Sequence, residues 1–210
     1  MNLSPTPSPL RLAALLLAGL TLLSPGPAAA QQSKLKPTDQ DPRVFRHEEA
    51  KTTFTAPKEW EVRAPEQMAD MSVLHLRRGD LGVDVTMTWV PVYIRKKTND
   101  PNVTAREPDV EETFKEELAN FQLVYGKDKV QPGDPVAHPN GKSATAFRVL
   151  AGPRRNEKEE GYVLLFDSGP DPNTRWMVMI RANFQKKTKE ENAADRIALV
   201  TELFKKNFQW

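Results

Sequence analysis

The segment GYVLLFDSGPDPNTRWMVMIRA, residues 161–182, decides the fold of this 210-residue chain. Two apolar runs, 162–166 and 176–180, flank a stretch rich in Gly, Pro, Asp and Asn. Residues of these types favour turns, so the segment is predicted to form a β-hairpin with a long loop. In both runs the apolar residues are consecutive. Because successive side chains of a strand point to opposite faces, this hairpin must be covered on both faces by helices or by another layer.

Further strands and two helices are predicted on either side of this hairpin. Residues 83–90 alternate between apolar and polar side chains, which is typical of a strand with one buried face. A helix is predicted from Pro108, and its apolar face carries Val110, Phe114, Leu118 and Phe121. The pair Asn140-Gly141 predicts a hairpin turn, and residues 188–208 predict a second amphipathic helix. These elements favour an α+β fold in which helices cover both faces of a central antiparallel sheet, an α/β/α sandwich.

The first thirty residues have the pattern of a secretory signal peptide. One arginine precedes a short apolar stretch at 12–23, and small residues lead to a cleavage site near Ala30. The apolar stretch is too short to span a bilayer, so no transmembrane segment is expected in the mature chain. Residues 31–49 hold few apolar side chains and are predicted to be a flexible leader. Residues 50–210 are predicted to form a single domain in a secreted or periplasmic protein.

The composition limits which partners and which chemistry are expected for this protein. The formal net charge is only +2, whereas nucleic acid needs a concentrated basic surface. We therefore expect no nucleic-acid partner. The chain contains no cysteine, which excludes disulfides, thiol chemistry and thiolate metal sites. Its stability must come from core packing.

Several local patterns resemble one known family. Residues 54–60 read FTAPKEW, similar to the F-x-x-P-x-x-W hairpin of the Mog1/PsbP-like α/β/α family. The helix carrying Phe114 stands where that family has its crossover helix. Residues 141–182 resemble its three consecutive antiparallel strands, and LFKKNF at 203–208 resembles its closing helix. The resemblance implies a sheet with helices on both faces, no shared catalytic residues, and a role in binding or assembly.

The residues favour a protein that is not an enzyme. His47, His75 and His138 lie far apart and none has a partner at metal-ligand spacing. No serine lies in a G-x-S-x-G motif, and pairs of glutamates at 48–49, 111–112, 116–117 and 159–160 are typical of solvated surface. We expect no catalytic residue, no cofactor and no metal site.

One stretch is predicted to contact a partner. Residues 89–97, WVPVYIRKK, combine aromatic and basic side chains, which are common at interfaces, and the candidate contacts are Trp89, Tyr93, Arg95, Lys96 and Lys97. The alternative is that Trp89 and its apolar neighbours belong to the core while the basic residues are solvated. The expected function is an exported, non-catalytic binding or accessory protein that contacts a protein partner or a small ligand. The alternatives are an envelope hydrolase or lyase that uses converging carboxylates and a histidine, or a structural or stress protein of the cell envelope.

Overall fold

The computed structural model describes residues 33–92, 110–150, 160–168, 175–185 and 193–210. The predicted signal peptide lies outside these ranges. Described residues fall within one compact unit, Gln32–Trp210. Its strands are β1 (Leu35–Pro37), β2 (Val44–His47), β3 (Thr52–Thr55), β4 (Glu61–Val62), β5 (Glu66–Met68), β6 (Met71–Arg78), β7 (Val83–Val92), β8 (Val130–Pro132), β9 (Val136–Ala137), β10 (Ser143–Val149), β11 (Glu160–Asp167), β12 (Arg175–Phe184) and β13 (Phe208–Gln209). The helices are α1 (Val110–Tyr125) and α2 (Ala193–Asn207).

The strands form two antiparallel sheets. The large sheet has the order β4-β6-β7-β12-β11-β10-β8, with β5 added beside β6 and β9 beside β10. The small sheet has the order β1-β2-β3-β13. The predicted hairpin is confirmed as β11 and β12, which pair from Glu160↔Phe184 to Asp167↔Met177 and occupy the middle of the large sheet. The turn predicted at Asn140-Gly141 connects β9 to β10, and Gly141 has a φ of 89°, which favours glycine.

The two faces of the hairpin are buried in different ways. On the inner face, Leu164, Phe166, Val178 and Ile180 join a core that also contains Phe45 and Phe54 of the small sheet and Phe204 of α2. The ring of Phe166 lies 4.8 Å from that of Phe204 and 5.1 Å from that of Phe208. On the outer face, Val163, Leu165 and Met177 pack with Phe121 of α1. The central hairpin therefore lies between α1 on one side and the small sheet with α2 on the other.

The predicted α/β/α sandwich is wrong. The structure is mostly β: 48% of the described residues lie in strands and 21% in helices, and large antiparallel sheets dominate. A second sheet shares the inner face with α2, where a helical layer was expected. The apolar residues of 162–166 require some cover, but their pattern is the same whether that cover is a helix or a sheet.

The segment predicted to be a flexible leader, residues 31–49, contains two strands in its described part. Residues from this segment form β1 and β2, and Leu35, Phe45 and His47 are buried. Each of these strands has only three or four residues, too few for alternation to stand out against two prolines. The second helix ends at Asn207, one residue earlier than predicted, because Phe208 pairs with Phe54 as part of β13.

His47 and Trp89 connect the two sheets within the inner core. The Trp89 indole Nε1 donates a hydrogen bond to Thr52 Oγ1 at 2.8 Å. The His47 ring is stacked on Trp89 and its centroid lies 4.5 Å from that of Trp176. His47 Nδ1 accepts a hydrogen bond from the Ala50 N–H. Burial lowers the pKa of His47 to about 4; Glu49 opposes this shift and Lys34 adds to it.

Truncating Phe166 should destabilise the protein strongly. Phe166→Ala removes the ring that contacts α2 and β13 at a fully buried position, and we expect a loss of about 3–5 kcal/mol in the free energy of unfolding. Urea denaturation measures this quantity. Leu123→Ala, at an α1 residue that is 86% exposed, is the control and should change it by less than about 0.5 kcal/mol. Equal effects of the two substitutions would contradict the packing described above.

The buried histidine should make the protein less stable as the pH is lowered from 6.5 to about 4. Between pH 6.5 and about 4 the unfolded chain binds a proton at His47 and the folded protein does not. As the pH is lowered through this window, the free energy of unfolding should therefore decrease by about 1 kcal/mol per pH unit. Urea denaturation of the wild type and His47→Gln at pH 7, 6, 5 and 4 isolates this contribution. The variant should show the shallower dependence, and parallel curves would refute the assignment.

Candidate functional site

Among the residues that the structure describes, α1 covers only part of the outer face of the large sheet. The residues that pack with α1 lie on β8, β10, β11, β12 and the last residues of β7. On β4, the second half of β6 and the first half of β7 the outer face carries polar side chains that are partly or fully exposed. We refer to this area, formed by Glu61, Arg63, His75, Arg77, Asp84, Thr86 and Gln185, as the open-face groove.

Strand register places the groove residues in two rows. In the first row Glu61, Arg77 and Asp84 are neighbours across β4, β6 and β7. In the second row His75 pairs with Thr86, and Arg63 donates its backbone N–H to the His75 carbonyl oxygen. Both rows point outward because Leu74, Leu76, Val83 and Val85, which alternate with them, point into the inner core. Two rows of polar groups thus face the same side of the sheet.

The two rows border a groove of about 530 Å³ that is open to solvent. Its lining is mostly polar and consists of Glu61, Val62, Arg63, His75, Leu76, Arg77, Asp84, Val85, Thr86 and Gln185. Gln185 follows β12 directly, and its backbone N–H donates to the Gly82 carbonyl oxygen at 2.8 Å. This bond places the Gln185 side chain at the end of the first row.

Some groove residues are held by one another. Asp84 accepts a hydrogen bond from Gln185 Nε2 at 2.7 Å and lies 3.6 Å from Arg77 Nε, so both of its oxygens are engaged. His75 Nδ1 lies 3.2 Å from Thr86 Oγ1. The side chains of Glu61 and Arg63 make no hydrogen bond or ion pair with any residue that the structure describes. The groove therefore combines a fixed centre with two unengaged groups of opposite charge.

The predicted partner contacts are only partly described. Trp89 is fully buried in the inner core and has no surface for a partner, as the alternative interpretation of this stretch expects. Tyr93, Arg95, Lys96 and Lys97 lie outside the described residues, and their contact with a partner stays a prediction.

The three histidines occupy three different environments. His47 lies between the two sheets, and His75 lies in the open-face groove. His138 packs edge-on against Phe204 and Trp210, and its Nδ1 lies 2.6 Å from Asn140 Oδ1. No group of three or more metal-ligating side chains occurs in the part of the chain that the structure describes.

The open-face groove was not predicted from the sequence. Its carboxylates, Glu61 and Asp84, are far apart along the chain. The described glutamate pairs, at 48–49, 111–112 and 116–117, lie outside the groove. Glu48 and Glu49, for example, form surface ion pairs with Arg46 and Lys34. The available signal was the polar half of the alternation at 83–90, which contains Asp84 and Thr86. It marked an exposed face, but only strand register shows which residues of β4 and β6 stand beside it.

Comparison with known proteins finds no matching family model, no similar curated protein and no similar solved structure. The resemblance to Mog1/PsbP-like proteins therefore stays a prediction. Within the described ranges, neither helix is long and apolar enough to cross a membrane.

Proposed function

We propose that this protein is an exported, non-catalytic binding protein that holds a small polar ligand in the open-face groove. The observation that carries the proposal is the set of polar side chains that two rows of strand residues aim into one groove. Export rests on the signal-peptide pattern of residues 1–30.

The size and chemistry of the groove support a small ligand. Its volume of about 530 Å³ falls in the range of about 300–1,000 Å³ that is common for small-molecule sites. Guanidinium, carboxylate, imidazole, hydroxyl and amide groups all line it, which suits a ligand with several hydrogen-bonding groups. Because a regular sheet supports these groups, most of their positions are set before a ligand arrives.

A hydrolase or lyase is the second candidate. Glu61, Asp84 and His75 line the same groove, which is the convergence of carboxylates and a histidine that such chemistry uses. Asp84 is poorly suited to transfer a proton, because Arg77 and Gln185 engage both of its oxygens. Binding is therefore the better supported function.

A protein partner at residues 93–97 remains a separate proposal. The resemblance to Mog1/PsbP-like proteins points to the same general role, since it implies binding or assembly. A structural or stress role in the envelope would not need a groove. The polar lining of the open-face groove therefore does not favour such a role.

Filling the groove should abolish ligand capture. The purified protein is incubated with a small-molecule extract of bacterial periplasm, and retained compounds are identified by mass spectrometry. We expect at least one polar compound to be enriched tenfold or more on the wild type relative to Thr86→Trp, because an indole beside His75 in the second row occupies the groove. Leu123→Trp, on the exposed side of α1, is the matched control and should retain the compound.

Two results would contradict the proposal. One is the absence of any compound that distinguishes the wild type from Thr86→Trp while the melting temperatures of the two proteins agree. The other is turnover of a retained compound that Glu61→Gln abolishes, which would favour the hydrolase or lyase.

A further inference from the structure

We infer that the ligand of the open-face groove is a zwitterion of about dipeptide length, with an ammonium group at one end and a carboxylate at the other. This inference rests on the proposed function and names the class of ligand for the same site.

The charges of the groove are separated by row. The first row holds Glu61, Arg77 and Asp84, so acidic groups are in excess there. The second row holds Arg63, His75 and Thr86, which provide a positive charge and hydrogen-bond donors without an acid. A ligand that lies across both rows meets a negative side and a positive side. A simple anion would lie against Glu61, and a simple cation against Arg63.

The unengaged side chains are those that would meet the two ends of such a ligand. The Asp84 charge is satisfied by Arg77 and Gln185. Glu61 and Arg63 have no such partner among the residues that the structure describes. Glu61 suits an ammonium group, and the Arg63 guanidinium suits a carboxylate, which it binds in a planar, two-pronged manner.

The spacing of the two rows fits a dipeptide. Glu61 and Arg63 are two residues apart along an extended segment, which separates their Cα atoms by about 7 Å. In an extended dipeptide the Cα atoms are about 3.8 Å apart, and the ammonium and carboxylate groups extend this to about 6 Å. A free α-amino acid is shorter than the spacing of the rows. His75, which stands beside Arg63 in the second row, offers a partner for the peptide amide.

Three related probes test the inference by isothermal titration calorimetry with the full mature chain. They are Ala-Ala, N-acetyl-Ala-Ala, which lacks the ammonium group, and Ala-Ala amide, which lacks the carboxylate. We expect each modification to weaken binding by tenfold or more relative to Ala-Ala. Equal binding of the acetylated probe would show that the groove recognises an anion alone, and would overturn the inference.

Two variants identify the groups that recognise each end. In Glu61→Gln the acetylated probe and Ala-Ala should bind equally, because the partner of the ammonium group is lost. In Arg63→Gln the amide probe and Ala-Ala should bind equally for the same reason at the other end. Glu48→Gln, an exposed acid outside the groove, is the matched control and should retain the tenfold preference. A full preference retained in Glu61→Gln or Arg63→Gln would refute the assignment.

Failure of this inference is distinguishable from failure of the proposed function. If no probe binds but Thr86→Trp still abolishes capture of a compound from the periplasmic extract, the groove binds another class of ligand and only the inference falls. If no probe binds and no compound distinguishes the two proteins, both fall.

Discussion

Burial of both faces of the β11–β12 hairpin is the constraint on which the rest of the structure depends. Its consecutive apolar residues would expose a large hydrophobic surface on whichever face lacked cover. The chain covers the outer face with α1 and the inner face with α2 and a small sheet, and Trp89 and His47 join that sheet to the large one. Segments distant in sequence, from Leu35 to Phe208, are thereby brought into one core.

The same constraint explains why a polar groove is left open. A helix with its side chains is about 10–12 Å wide, whereas seven strands spaced about 4.8 Å apart extend over about 30 Å. α1 therefore packs on the strands around the apolar hairpin and, among the described residues, does not reach β4, the second half of β6 and the first half of β7. Side chains at these positions are polar, and strand register sorts them into two rows. The groove is thus a consequence of how far one helix extends across a wide sheet.

The sequence predicts local elements better than it predicts layers. Residues 161–182 predict the hairpin, and the alternation at 83–90 predicts β7, because each pattern is carried by adjacent residues. The inner layer is not predicted because β1 and β2 are short, and because the small sheet is stabilised by Phe45 and Phe54, which pack against residues distant in sequence. For the same reason Asp84 and Thr86 can be recognised as exposed, but Glu61 and Arg63 become their neighbours only through the pairing of β4 and β6. Trp89 shows the opposite error: an aromatic residue close to basic ones in the sequence suggests an interface, but this one is buried in the core.

The most direct test of this account is the accessibility of the outer face in solution, and the absence of cysteine from the chain allows it to be measured cleanly. Single cysteines are introduced by Thr86→Cys and Met87→Cys, which are neighbours on β7 but face opposite sides of the sheet. The rate of reaction with a thiol reagent is measured in the native protein. The account predicts rapid labelling at position 86 and protection at position 87. Equal protection at both positions would show that the groove is covered in the folded protein, and would contradict its assignment as a binding site.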